Sequence, residues 1–124
     1  MISLYREMAK KERKGLRNGY VSLAVQAEIE HAKIYALVEA MRAQGKSDED
    51  IPDLISEREQ AERRKNEIIE TLDGFFNEDI ESAETDEEEE ELDEQMNAFY
   101  VKVGKIFHET LKEERKKYNN IGIR

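Results

Sequence analysis

The chain of 124 residues contains no cysteine, which excludes disulfides, cysteine-ligated zinc sites and cysteine nucleophiles. That absence suits a reducing compartment. There is one proline, Pro52, and there are two histidines, His31 and His108. General acid–base chemistry would therefore rest on carboxylates, and nothing singles out a pair among the 30 Asp and Glu residues. No apolar run approaches the roughly 20 residues that a membrane span requires. Met1 to Lys14 carries charge from Arg6 onward and has no apolar stretch, so it does not read as a signal peptide. A cytoplasmic location without a membrane partner is the expectation. There is no glycine-rich phosphate loop, no Gly-x-Ser-x-Gly and no dinucleotide fingerprint. His108-Glu109 begins like the zinc-protease pattern but the second histidine is missing. No segment alternates polar and apolar residues in the way a half-buried strand does.

What is present is charge and helical periodicity: 40% of residues are charged and 38% are apolar. The pattern predicts an all-α fold, an antiparallel helical bundle of three long helices plus a short N-terminal helix. It forms a single domain over residues 1–118, followed by a flexible tail at 119–124. The short helix is expected over about 2–14, where Ile2, Tyr5, Met8 and Ala9 share a stripe. Gly15 and the Asn18-Gly19 pair are expected to end it. The next helix, about 21–43, is apolar nearly all round, which marks a central element buried on several sides. A third, about 48–73, starts after Ser47, with Asp48, Glu49, Asp50 and Pro52 suited to a first turn. Phe75 to Glu84 reads as a linker tethered to the core by Phe75, Phe76 and Ile80. Thr85 with Glu88 then fits a capping box that opens a fourth helix over about 86–118, with its stripe at Leu92, Met96, Phe99, Val103 and Ile106. At about 1.5 Å per residue this helix is roughly 50 Å long against roughly 35 Å for the second. The surplus must project or meet another chain, so a homo-oligomer is expected.

Two groups of residues are candidates for function. Glu28 and His31 are three apart and share a helix face, the Glu-x-x-His spacing by which di-metal bundles bring a carboxylate and an imidazole to one cation. Pairing of the second and third helices around Gly45 would place His31 near Ala61 and Glu62. Glu28, His31 and Glu62 are thus the candidate ligands for iron, manganese or zinc. Against this, di-iron bundles carry two such motifs and two further glutamates, and here Lys105 stands three residues before His108. The expectation is no cofactor, with Glu28, Glu30, Arg58, Glu62 and Lys65 forming a polar layer that fixes helix register.

The second group is the acidic run. Nine of the eleven residues from Glu84 to Glu94 are acidic, and they carry nearly all of the net charge of −10. The segments before residue 20 and after residue 94 are basic. Asp86, Glu87, Glu88, Glu89, Glu90 and Glu91 are the candidate partner-binding residues, matched to a basic protein. Nucleic acid is not an expected partner of so acidic a chain. Mimicry of the DNA phosphate array is a further alternative, as in an inhibitor of a nucleic-acid enzyme. Continuous Glu87 to Glu91, however, surrounds a helix and does not line one face. The function expected from sequence is that of a non-enzymatic, self-associating interaction or assembly protein.

Overall fold

The computed structural model describes residues 2–120, with side chains described for 4–119. Among them are three α-helices and no strand: α1 (Ile2–Ala43), α2 (Pro52–Glu81) and α3 (Asp86–Asn120), with a 3-10 turn at Asp48–Asp50. The all-α expectation holds. Several boundaries move, each for a visible reason.

One helix, α1, spans both of the first two expected helices and runs through Gly15 and Asn18-Gly19. Glycine in a helix interior costs about 1 kcal/mol relative to alanine. Here contacts on either side of the glycines hold the helix together. Arg13 pairs with Asp79 at 2.8 Å and with Glu78 at 3.0 Å. Arg17, only 8% exposed, pairs with Asp79 and lies over the Phe76 ring. Tyr20 meets Phe75 edge-on at 5.2 Å. Tertiary packing therefore overrides the local stop signal, and α1 becomes the longest helix at roughly 63 Å by the usual rise per residue.

At the first connection Gly45 takes φ +89, a left-handed conformation that favours glycine. The Ser47 amide donates to the Asp50 carboxylate at 2.9 Å. The acidic triplet 48–50 forms a separate 3-10 turn, so the α-helix proper begins later than expected, with Pro52 in its first turn. The expected linker after Asp73 is helical: α2 passes Gly74 and continues to Glu81 because Phe76 is a core residue. Only residues 82–85 connect α2 to α3. There Thr85 Oγ1 accepts the Glu88 amide at 3.1 Å, and the Glu88 carboxylate accepts the Glu84 amide at 3.1 Å. At its far end α3 extends through residues 119–120, part of the expected tail. The remainder of that tail, 121–124, lies outside the described residues.

Two apolar clusters form the core. Ala24, Leu72, Phe76, Phe99 and Val103 make the first, supported by Tyr20, Val21, Ile68, Ile69, Leu92 and Met96. Ala32, Ala36 and Leu111 make the second, with Tyr35, Phe107 and Tyr118 against them. Small residues on α1 at 24, 32 and 36 let the larger side chains of α2 and α3 come close. Interhelix ion pairs line the outside. Going up α1, the partners on α2 fall in number, from Arg13 with Asp79 to Arg64 with Glu30. The partners on α3 rise, from Lys10 with Glu88 to Arg115 with Glu39.

Candidate functional site

Glu28 and His31 lie on α1 between the two apolar clusters, at 3% and 7% exposure. Their i, i+3 spacing puts both side chains on one face. His31 Nδ1 and Glu28 Oε1 are 3.2 Å apart, within hydrogen-bonding distance. The imidazole stacks on Phe107 of α3, with centroids 5.4 Å apart and planes 22° apart, and meets Tyr35 edge-on at 6.2 Å. The other Glu28 oxygen, Oε2, is 3.7 Å from Lys65 Nζ on α2. A buried carboxylate is costly unless it is paired and hydrogen-bonded, and His31 and Lys65 together meet that need. One polar group from α2 and one ring contact from α3 thus converge on a single level of α1.

Of the three candidate metal ligands, the structure brings Glu28 and His31 together but leaves Glu62 exposed. Lys65, one turn further along α2, takes the place beside Glu28. Among the described residues no three His, Asp or Glu side chains gather as a metal-binding group. Lys65 next to the Glu28 carboxylate opposes a dication electrostatically. What this level can do chemically is fix register: sliding α2 by one turn would take Lys65 away from the buried Glu28 carboxylate.

The acidic run occupies the first turns of α3. Its members divide by what they touch. Glu84 lies 3.3 Å from Arg6, and Glu88 lies 2.6 Å from Lys10. The Lys10 ammonium and the Glu84 amide hold the Glu88 carboxyl below the usual range, the lysine contact being the larger effect. Asp86, Glu87, Glu89, Glu90 and Glu91 are exposed. Among the described residues none of these five makes an ion pair; Glu91 accepts a bond from Gln95 Nε2 at 3.4 Å. Beside the run lies an open groove of about 590 Å³, lined by Lys10, Arg13 and Arg17 on one wall and by Glu78, Asp79 and Glu88 on the other. Its cations and carboxylates largely neutralise each other.

Sequence reasoning registered the segment before residue 20 only as basic and missed this α1 ladder. The signal was there: Arg6, Lys10, Arg13 and Arg17 follow the 3–4 spacing of one helix face. The unbroken α1 needed to align them was not anticipated. Among the described residues no helix is long and apolar enough to cross a membrane. Comparison with protein-family models, with curated proteins and with solved structures finds no match.

Proposed function

We propose that this chain is a non-enzymatic interaction or assembly protein of the cytoplasm. In this reading it is an antiparallel three-helix bundle that associates with itself and docks a basic protein on the acidic start of α3. One observation carries the docking half. The fold uses Glu84 and Glu88 to hold α1 and leaves Asp86, Glu87, Glu89, Glu90 and Glu91 exposed and without ion pairs among the described residues. Like charges at i, i+3 and i, i+4 weaken a helix. The helix dipole offsets this for Asp86, Glu87 and Glu89 in the first turn, but Glu90 and Glu91 lie beyond it, and an external cationic surface accounts for carboxylates kept there. Exposed charges of this kind speed encounter and set specificity more than they set affinity.

The test is affinity capture from the source cells with the wild type and with a variant carrying amides at 86, 87, 89, 90 and 91. A basic protein that is held by the wild type, released by salt and not held by the variant supports the reading. A partner held equally by both proteins, or undiminished at high salt, rejects acidic docking, because exposed ion pairs are screened.

A further inference from the structure

We propose that a second copy of this chain docks on the outer face of α3, the two helices running in opposite directions about a two-fold axis level with the Phe99–Tyr100 step. The inference rests on the self-association half of the reading above and names the surface and its register. Phe99 and Val103 carry the buried side of α3 into the first cluster, with Leu92 and Met96 beside them. The side turned away from the bundle repeats every 3.5 residues, at 87, 91, 94, 98, 101, 105, 108 and 112. That is the spacing at which one helix keeps a seam against another. All eight positions are exposed, Val101 at 57%.

The seam is graded along its length. It begins with Glu87, Glu91 and Glu94, passes through Ala98 and Val101, and ends with Lys105, His108 and Lys112. Among the described residues none of these six ionisable side chains is in a salt bridge, whereas Arg115, Lys116 and Lys117 beyond them pair with Glu39, Glu113 and Glu114.

Charge selects both the occupant and its direction. Run in parallel, two such seams would set carboxylate on carboxylate and ammonium on ammonium. Run oppositely, they set Ala98 against Val101, Glu94 against Lys105, Glu91 against His108 and Glu87 against Lys112, and the two-fold axis makes each layer occur twice. Only the small apolar pair meets at the axis. The Glu94 carboxylates of the two copies stand roughly 16 Å apart along it, about twice the Debye length at physiological salt, and so do the two Lys105 ammoniums. Glu109 is the one carboxylate at the edge of the basic half, and this register puts it near Glu88 and Glu91 of the second copy. Lys10 already meets Glu88 at 2.6 Å, and Lys105 and Lys112 flank Glu109 one turn away on its own helix. A separate basic protein would match the acidic half of the seam alone, and a nucleic acid the basic half alone. A second copy answers both.

The test is molar mass by sedimentation at physiological ionic strength, which screens repulsion between two molecules of net charge −10 beyond about 8 Å. One helix face per copy is a small interface, so half-dissociation is expected at about 100 µM. Two charge-reversed variants decide the pairing, Glu87→Lys with Glu94→Lys and Lys105→Glu with Lys112→Glu. Each alone should weaken association about tenfold or more, with helix content by circular dichroism unchanged. An equimolar mixture of the two should recover it, because every layer is then complementary again, and recovery excludes misfolding as the cause of the loss. Glu109→Gln should strengthen association about twofold. With no native cysteine, Ala98→Cys should be joined into a dimer by a short bis-maleimide, and Leu23→Cys on α1 should not. A wild type that stays monomeric well above the expected concentration overturns both this proposal and the self-association reading. A wild-type dimer that survives both reversals, that the mixture does not recover or that is not joined at residue 98 overturns this face alone.

Discussion

Glu28 shows how little room a buried carboxylate leaves for variation. It sits between His31 and Lys65, with its side chain 4% exposed. Removing the lysine strands the charge, and breaking a buried pair from one side costs roughly 3–5 kcal/mol; replacing all the charged members by apolar groups of similar size is often neutral or stabilising. Lys65→Ala should therefore lower the urea midpoint strongly, whereas the triple replacement Glu28→Met, His31→Phe and Lys65→Met should restore or exceed wild-type stability. A triple variant as weak as the single one would show that the layer adds stability and does more than fix register. The same geometry predicts no stoichiometric iron, manganese or zinc in native mass spectra of protein purified without chelator. Tyr100 gives a second residue-level test. Partial burial, and then its hydrogen bond to Asp73, push its hydroxyl up to about 12. The neutral form is thus favoured in the folded state. The associated stability is fully present below about pH 10, the unfolded value, and is lost as pH rises towards about 12. Tyr100→Phe should flatten that alkaline limb and remove the highest-pH component of tyrosinate absorbance.

At the scale of the element, α1 is the informative case. If it is continuous, Gly15→Ala and Gly19→Ala should each stabilise the fold by about 0.5–1 kcal/mol, since both positions open onto empty space. A helix broken at those glycines would gain nothing, and thermal unfolding separates the two cases. Phe76→Ala should cost about 3–5 kcal/mol, the behaviour of a core position and not of a linker. Both elements show what was legible. The helical class was readable because the apolar spacing near 3.6 residues is strong throughout α1, α2 and α3. The breaks at Gly15, Asn18-Gly19 and Gly74 were misread because local stop signals are worth only about 1 kcal/mol each. The contacts that overrule them, Arg17 with Asp79 and Phe76 in the first cluster, join residues far apart in sequence. For the same reason the adjacency of Glu28 and His31 was visible from their spacing, while the choice of Lys65 over Glu62 was not. The latter depends on how α2 is rotated about its axis, which the three-residue difference between 62 and 65 leaves open.

For the whole molecule, the division of the acidic run predicts that its exposed members beyond the first turn oppose stability. Turning Glu90 and Glu91, which lie past the first turn, into amides should leave the fold intact and raise the unfolding temperature at low salt, each relieved like-charge pair being worth about 0.2–0.5 kcal/mol, whereas amides at Asp86, Glu87 and Glu89 also give up a favourable interaction with the helix dipole. Glu88→Gln should do the opposite. Its carboxyl is held below the usual range by Lys10, so its contribution is present above the ordinary carboxylate range and fades as pH falls below it. Arg6 and Lys10 grip Glu84 and Glu88, so the beginning of α1 lies against the short connection between α2 and α3. A protease that nicks residues 82–85 would cut the covalent tether at the place where a noncovalent clasp spans it. The two fragments should remain associated after the cut and part only when salt or unfolding opens the clasp, which makes that connection the natural point at which to split the protein into a complementing pair.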